Sequence, residues 1–527
     1  MYSIPFLSWP VLLLVAFLFL AVDRIVAYRR SLAAVSFLPG KRYFFSPFSI
    51  PGALFPTSRW NPGNLWMWVE RRTAYRKTGE EVASCIGWLG GAPVVYNNSP
   101  EVAKQVLGNK TIWDKPQNVI DSLSAFGPNV FSTNQADWPR HRRIVAPGFQ
   151  NGTLYPAVWT ETINTYYDCL ATEKWENESS FIIPNVVAVT SKFALYLIAK
   201  SGFGIDLAWN EALGERIQGM TMPECFEVTS GSVILLSVLP RWTFYLPFKP
   251  LRRLHRARQA LEIILRGIID GRRAEGVASE SSSNNKNIFS LLLKANDEEK
   301  GSKAALSDQE LVSNVYLLLL AGHETTSRSL AATLGLLACH PDIQEKAYEE
   351  VQSVLKKGSD PTFDDFERLT FVQGCFFEGL RLFPSSLAMI RAPLSDTVLS
   401  VPGKDGKPIS IPFKADQAVW IDWVGVGRNA RVYPDPDSFI PSRWLDPSTE
   451  PLLNFSYGPR VCIGRRFAVT EAVGLLCLLL RDYEIKPLLK PGQSLQDWRA
   501  ELETEVDANV GFGPKPFPLK MTRRSSL

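Results

Sequence analysis

The pattern of apolar and polar positions along the chain predicts a protein built mostly from helices. Ser307 and Glu310 have the spacing of a capping box, and the apolar stretch after them continues without proline until Pro341. This predicts one long, largely buried helix. Two further helical patterns follow, PDIQEKAYEEVQSVL and FVQGCFFEGLRLF, and the second stops at Pro384. Short alternating segments, APVVYN, TVLSV and PISIPF, predict strands, so we expect a mainly α fold with a small β part.

The first 22 residues carry no charged side chain and include PVLLLVAFLFLAV. As a helix they would reach about 33 Å, enough to cross a hydrocarbon layer of about 30 Å. Arg24, Arg29 and Arg30 follow this stretch, so the positive-inside rule places the body of the protein in the cytosol. A cleaved signal peptide is the alternative, but it needs a basic leader and a clear cleavage site. We expect a transmembrane anchor over residues 1–22, a linker over residues 23–52 and one globular domain over residues 53–527.

Charge and cysteine content exclude several classes of protein. The 57 Lys and Arg residues nearly balance the 53 Asp and Glu residues, and a net charge of +4 gives no reason to expect a nucleic-acid partner. The seven cysteines are an odd number without a CxxC pair, which argues against a disulfide framework or a zinc site and favours a reducing compartment.

A glycine interrupts the long helix at Gly322, where it costs about 1 kcal/mol relative to Ala. The residues after it are His323, Glu324, Thr325 and Thr326. A Thr325 hydroxyl can bond back to the carbonyl of residue 321, which would open the helix locally and leave a hydroxyl and a carboxylate beside a small hollow. The alternative is a tolerated glycine in an ordinary buried helix.

Two smaller patterns place charged side chains together. Glu378 and Arg381 share a helix face in the apolar setting CFFEGLRLFP, and Arg443 is a candidate third member of a buried cluster, although a surface ion pair is the usual reading of this spacing. Trp138 and Arg142, four apart, can present an indole N–H and a guanidinium to one anionic group. The alternative there is a basic surface helix.

The segment FSYGPRVCIGRRF places Cys462 between Gly458 and Gly464. Glycine backbones permit close approach of a flat partner, and Arg460 with nearby backbone N–H groups would favour the thiolate. A thiolate is both a metal ligand and a nucleophile, so metal ligation and covalent catalysis are both open. A buried structural cysteine is the third alternative.

Together these patterns resemble the haem-thiolate monooxygenase family, cytochrome P-450. Its haem-binding signature is matched by Phe455-x-x-Gly458-x-Arg460-x-Cys462-x-Gly464. Its oxygen-activation motif is matched by residues 321–326, and its structural triad by Glu378-x-x-Arg381 with Phe439-x-Pro441-x-Arg443. The anchor is similar to that of the microsomal branch, and the chain resembles fungal members that act in secondary metabolism.

The resemblance implies a role for each matching position. Cys462 would be the proximal ligand of the haem iron. Glu324 and Thr325 would relay protons, whereas His323 would be turned away and would not be a ligand. The remaining matches are implied to bind the cofactor, four of them at its propionates and the others in the signature loop: Trp138, Arg142, Arg391, Arg460, Phe455, Gly458 and Gly464.

The resemblance also implies a lipophilic substrate. The pocket would be lined by mostly apolar or small segments: residues 120–126, Leu319, Leu320, Thr326, residues 385–389 and residues 509–513. The apolar stretch over residues 233–248 is either a buried helix or a membrane-dipping entrance.

The implied partners are an NADPH-dependent flavoprotein reductase, with cytochrome b5 as a further electron donor in this family, and membrane lipid. The reductase would dock on basic residues near the haem motifs: Arg140, His141, Arg143, Arg465 and Arg466. The expected location is the endoplasmic reticulum membrane, with a single span and the catalytic domain facing the cytosol.

The activity implied is insertion of one atom of O2 into a lipophilic molecule, with a terpenoid of secondary metabolism as the expected substrate. Alternatives are a fatty-acid, sterol or xenobiotic hydroxylase and an O2-independent haem-thiolate isomerase or dehydratase. A non-catalytic, membrane-tethered haem or lipid carrier is the alternative outside the enzymes.

Overall fold

The structure is a computed structural model of the chain. It describes the following residues: 9–47, 49, 51–52, 55–76, 81–135, 137–205, 209–210, 216–232, 239, 241–278, 287–356, 359–403, 407–508 and 510–524. Two sequence expectations fall partly outside these ranges. In the apolar stretch over residues 233–248, positions 233–238 and 240 are not described, and in the expected pocket segment 509–513, position 509 is not described.

Sixteen α-helices are found in the described residues. In chain order they are α1 (Trp9–Ala34), α2 (Trp66–Val69), α3 (Pro100–Gly108), α4 (Gln117–Ser122), α5 (Asp137–Val145), α6 (Leu154–Thr172), α7 (Val186–Leu197), α8 (Met222–Ser230), α9 (Lys249–Ala278), α10 (Ile288–Glu298), α11 (Asp308–Cys339), α12 (Pro341–Val354), α13 (Thr370–Leu382), α14 (Trp423–Gly427), α15 (Arg465–Asp482) and α16 (Leu495–Thr504). A π-helical turn, Ile198–Gly202, continues α7.

The strands are short. They are β1 (Gly40–Tyr43), β2 (Val82–Gly87), β3 (Val94–Asn97), β4 (Trp113–Asp114), β5 (Ser180–Ile183), β6 (Ala388–Pro393), β7 (Thr397–Pro402), β8 (Pro408–Phe413), β9 (Val419–Asp422), β10 (Tyr483–Pro487), β11 (Val506–Ala508), β12 (Phe512–Pro514) and β13 (Leu519–Arg523). The expectation of a mainly α fold with a small β part is confirmed.

The chain divides into two compact units. The first comprises residues 1–116, 387–429 and 457–459. It contains a six-stranded sheet in the order β1-β2-β3-β9-β6-β4 and the hairpin β7–β8. Strand β1 runs parallel to β2, and β3 runs parallel to β9, while the other pairs in the six-stranded sheet are antiparallel.

Helix α1 belongs to the first unit and extends beyond the apolar segment. One helix among the described residues, Trp9–Ala34, is long and apolar enough to cross a membrane. Nearly half of it, residues 23–34, lies in the range expected to be a linker. There, Tyr28 stacks on Trp88 at 4.6 Å between ring centroids, and Arg24 donates to the carbonyl of Leu89 at 3.1 Å. The basic end of this helix therefore contacts the folded body.

The second unit comprises residues 117–386, 430–456 and 460–527. Its centre is α11, in which nearly every residue from Leu311 onward is buried. The helix begins where the capping box predicts, since the Ser307 hydroxyl accepts from the Glu310 N–H and the Glu310 carboxylate accepts from the Ser307 N–H. It packs against α7 and α13, and the hairpin β11–β12 lies on it.

Candidate active site

The Cys462 loop presents its thiol at the surface of the second unit. Of the seven cysteines, Cys462 is exposed and the other six are buried. The Cys462 N–H donates to the Phe455 carbonyl at 2.8 Å, which closes the loop, and Ser456 takes the left-handed backbone conformation with φ 66°. Helix α15 begins three residues after the cysteine. The alternative of a buried structural cysteine is wrong.

The two glycines of the loop have different reasons for being glycine. Gly458 has φ +70°, and a Cβ there would lie 2.9 Å from the Gly108 Cα, so both conformation and close backbone packing require it. At Gly464 a Cβ would meet only Phe149, at an ordinary 3.7 Å. Protein packing therefore explains Gly458, while Gly464 keeps a bare backbone beside the exposed thiol, as a flat cofactor would need.

Three side chains predicted to hold the cofactor lie around this loop. Arg142 donates to the Val461 carbonyl at 3.0 Å. The Arg460 guanidinium lies 4.6 Å from the centroid of the Trp138 ring and donates to the Thr133 carbonyl at 3.0 Å. Helix α5 carries both Trp138 and Arg142, with Pro139 in its first turn, where proline is tolerated. The structure thus brings Trp138, Arg142 and Arg460 to Cys462.

Several groups act on the Cys462 thiol in opposite directions. Although part of the residue is exposed, the protein atoms packed around the sulfur raise the pKa of the thiol. The Gly464 N–H and the guanidinium groups of Arg142 and Arg465 lower that pKa by a smaller amount. Arg142 and Arg465, rather than Arg460, are therefore the cations that favour the thiolate. Metal coordination deprotonates a thiol outright.

Arg391 belongs to the first unit, on β6, and is buried. One of its Nη atoms donates to the Ile390 carbonyl at 2.8 Å. Its assignment to a haem propionate stays a prediction.

The centre of α11 carries the predicted proton-relay residues. The Thr325 hydroxyl donates to the Ala321 carbonyl at 2.8 Å, as expected, yet the helix is continuous and does not open. A Cβ on Gly322 would lie 3.1 Å from Ile198 Cγ1, so this glycine admits the π-helical turn rather than forming a hollow. Ala321 is exposed and Thr325 is half-buried in an otherwise buried stretch. The accessible face of α11 is therefore the one with Ala321 and Thr325.

The expected pocket residues on α11 need correction. Leu319 and Leu320 have no exposed surface, and Thr326 is buried with its hydroxyl donating to the Gly322 carbonyl at 3.1 Å. A side chain that lines an open pocket would expose some surface to water. Leu319 and Leu320 therefore pack into protein, and Thr326 is nearly covered by it.

Glu324 and His323 are both buried on the same helix. The His323 Nδ1 lies 2.7 Å from the Leu319 carbonyl, and its ring packs edge-on against Phe226. Burial lowers the pKa of His323, which favours the neutral imidazole. The Glu324 carboxylate lies 3.7 Å from His323 Nε2 and 3.6 Å from Arg328 Nε.

The three charged residues of the predicted triad form one buried cluster. Arg381 donates to both carboxylate oxygens of Glu378 at 2.8 and 2.7 Å, and Arg443 Nε donates to Oε1 at 3.0 Å. The Ile440 N–H and the Trp444 indole complete the set at 2.9 and 3.0 Å. Glu378 and Arg381 are fully buried, so the surface alternative is wrong. Sequence reasoning missed Trp444, whose only signal was its place next to Arg443.

The proposed basic docking surface is smaller than the sequence indicated. His141 is fully buried, and Arg140 and Glu310, both partly buried, pair with each other. Arg143 stays 59% exposed but is paired with Glu299. Arg465 and Arg466 are exposed at the start of α15. His141 is therefore not available to a partner, and the charge of Arg140 is already paired with Glu310.

Comparison with known proteins identifies the family. The family model for cytochrome P450 matches residues 62–506. Cytochrome P450 monooxygenase 124 of Postia placenta is 30% identical over 514 residues, covering 96% of this chain and 97% of that protein. Cyclooctat-9-en-7-ol 5-monooxygenase of Streptomyces melanosporofaciens is 27% identical over 416 residues, covering 77% and 83% of the two chains. The crystal structure of the cytochrome P450DA heme domain has a TM-score of 0.72 at 20% identity, covering 93% of this chain and 98% of that one.

The chain belongs to the cytochrome P450 family. It is therefore a haem-dependent monooxygenase, an oxidoreductase that incorporates oxygen into its substrate. The haem supplies the oxidising chemistry when bound, through an iron with a cysteine thiolate ligand. The residues fit this group because the accessible thiol of Cys462 lies beside the bare backbone of Gly464 and two guanidinium groups.

Proposed function

We propose that this protein oxidises a lipophilic small molecule, most specifically a terpenoid of secondary metabolism, with electrons from NADPH delivered by a separate flavoprotein reductase. The observation that carries the proposal is the single accessible cysteine thiol, Cys462, surrounded by Trp138, Arg142 and Arg460. A relative named for cyclooctat-9-en-7-ol as substrate supports the terpenoid class. Fatty-acid, sterol and xenobiotic substrates remain the competing classes.

Each residue of the site has a distinct task. Cys462 binds the iron, and Arg142 and Arg460, with Arg391, neutralise the carboxylates of the cofactor. Glu324 and Thr325 pass protons toward the reacting oxygen, with the Thr325 hydroxyl on the accessible face of α11. An isomerase or dehydratase that uses no O2 needs no such relay. The Glu324 and Thr325 pair therefore favours oxygen activation over that alternative.

The protein is proposed to sit in the endoplasmic reticulum membrane with its catalytic body in the cytosol. Helix α1 supports the anchor, and the arginines at its C-terminal end support the orientation. The described part of the apolar stretch adds a second contact, because Trp242, Tyr245 and Phe248 expose 64%, 72% and 59% of their surface. Aromatic side chains beside cations such as Lys249 suit the lipid–water interface.

The reductase is proposed to dock at the start of α15, where Arg465 and Arg466 are exposed close to Cys462 in sequence. An acidic partner surface would be recognised there by charge. Cytochrome b5, which is also proposed as a partner, would compete for the same cations.

The decisive experiment supplies the full-length protein with a reductase, NADPH and ¹⁸O2, and presents a panel of terpenes, sterols and fatty acids. A terpenoid product carrying one ¹⁸O atom is expected, and the Cys462→Ser protein should form none. A product without ¹⁸O would establish the isomerase or dehydratase alternative, and haem binding without any product across the panel would support the carrier. Removal of residues 1–34 should release the body from membranes. Full retention would indicate that the exposed Trp242, Tyr245 and Phe248 form a second membrane contact.

A further inference from the structure

Arg328 lies between two carboxylates that belong to different elements. It is one turn after Glu324 on α11 and is only 9% exposed. Its Nε is 3.6 Å from Glu324 Oε1, and one Nη atom is 3.7 Å from Asp507 Oδ2 on β11. The other Nη atom donates to the Pro514 carbonyl at 3.3 Å on β12. The guanidinium therefore joins the proposed proton-relay residue to the β11–β12 hairpin.

Neither carboxylate forms a closed ion pair with Arg328. A charge-assisted N–H···O bond has a length of about 2.7 to 2.9 Å, so both observed separations are almost 1 Å too long. Different nitrogens of the guanidinium face the two carboxylates, Nε toward Glu324 and one Nη atom toward Asp507. The two carboxylates thus face a single buried cation.

The hairpin is also in direct contact with Glu324. A Cβ on Gly511 would lie 3.0 Å from Glu324 Cγ and 3.1 Å from Arg328 Cγ, so the hairpin tip lies directly against both side chains. The Phe512 N–H donates to the Ser385 carbonyl at 2.8 Å, which ties the hairpin to the segment after α13. A displacement of the hairpin would move Asp507 and change how Arg328 is shared.

We propose that Arg328 is a positioning residue for Glu324, and that Asp507 competes for it, so that the position of the β11–β12 hairpin sets how freely the Glu324 carboxylate can act. This rests on the proton-relay role proposed above for Glu324. When Asp507 pairs with Arg328, the Glu324 carboxylate is free of the cation and can exchange protons. When Arg328 forms an ion pair with Glu324, the carboxylate is less free to exchange protons. The buried His323 also neighbours Glu324. Its Nδ1–H donates to the Leu319 carbonyl, so in the neutral imidazole the Nε2 that faces Glu324 can accept a hydrogen bond but not donate one.

A double-substitution cycle on thermal unfolding tests the shared cation without any substrate. In Glu324→Gln or Asp507→Asn protein, Arg328 closes on the remaining carboxylate, so each single change lowers the melting temperature little. The double variant leaves a buried cation without either carboxylate, and its loss should exceed the sum of the single losses by about 2 °C. Glu501→Gln is the matched control, since Glu501 is 43% exposed and Asp507 41%, and Glu501 pairs with Lys490 instead. Additive losses for Glu324→Gln with Asp507→Asn would overturn the sharing.

Reductase-driven NADPH oxidation without added substrate tests the consequence for proton delivery. Asp507→Asn should slow oxidation several-fold and enlarge the solvent deuterium isotope effect, whereas Glu501→Gln should match the unchanged protein. Adding Asp507→Asn to Glu324→Gln should cause no further slowing. An unchanged rate and isotope effect for Asp507→Asn would refute the positioning role. An unchanged rate for Glu324→Gln would refute the proton relay itself, while the melting cycle would still report whether Arg328 is shared.

Discussion

The Glu378→Gln substitution would remove the charge from a buried carboxylate with an unusually complete set of donors. The carboxylate accepts five hydrogen bonds, two from Arg381 and one each from Arg443, the Ile440 N–H and Trp444. A glutamine offers one accepting oxygen, and its NH2 group would face donors. The fully buried Arg381 would then lose the carboxylate to which it donates twice, although it still donates to the Pro436 and Ser438 carbonyls.

The expected cost follows from that burial. Removing one member of a buried ion pair costs about 3 to 5 kcal/mol, because the other charge stays in the interior without its counter-ion. The entropy of unfolding is about 2.1 cal/mol/K per residue, so a body of roughly 500 residues has about 1 kcal/mol/K. The Glu378→Gln protein should therefore melt about 3 to 5 °C lower. Its haem content per polypeptide after expression should also fall.

Two further variants make this result interpretable. Trp444→Phe removes one hydrogen bond to a charged acceptor but leaves no new buried donor, so a smaller loss of about 1.5 to 3 °C is expected. Glu367→Gln removes an exposed carboxylate of the same charge and should leave the melting temperature unchanged. Differential scanning calorimetry with optical haem quantitation measures both quantities. A shift of less than about 1 °C for Glu378→Gln, which corresponds to under about 1 kcal/mol at this chain length, would refute this reasoning.

Three more predictions concern the site and its surroundings. Cys462→Ser protein should lose the optical signature of a CO-bound, thiolate-ligated ferrous haem, and an unchanged spectrum would remove the ligand assignment. Thr325→Ala should reduce the product formed per NADPH consumed while NADPH oxidation continues; equal coupling would contradict the relay. Burial raises the pKa of Asp422 to about 6, despite the Gly425 N–H and Tyr75 hydroxyl that donate to it. Because the folded pKa exceeds the unfolded value of about 3.9, this carboxyl stabilises the fold at low pH, and that stabilisation is lost as the pH rises through 6. The free energy of unfolding of Asp422→Asn protein, relative to that of the unchanged protein, should therefore rise by about 2 kcal/mol between pH values of about 4 and 7. Urea unfolding measures this difference. A difference that does not change with pH would contradict the raised pKa.

Local patterns were sufficient for several elements. The Ser307 capping box and the unbroken apolar run predicted α11, because the start of a helix and its buried face depend on residues that are close together in sequence. The return bond from Thr325 to the carbonyl of residue 321 was likewise predictable, since its two ends are one turn apart. The same holds for the pairing of Glu378 with Arg381, three residues apart on one helix.

Predictions that depended on which side of an element faces the interior were less successful. His141 and Arg140 looked like surface cations in a basic segment, yet α5 turns them toward Glu310 on α11. Gly322 was expected to leave a small hollow beside an opened helix. The space next to it is instead filled by the side chain of Ile198, from a turn more than 100 residues earlier. No periodicity within one segment can report such a neighbour.

The family, the cysteine of its signature and the main helices could be predicted from the sequence, because they depend on residue types at short spacing. Three features became visible only in the folded chain: the close packing at Gly458, the hydrogen bond from Trp444 to Glu378, and the position of Arg328 between Glu324 and Asp507. Each of these contacts joins residues that are distant in sequence and meet only when the chain folds, so patterns within one segment cannot predict it.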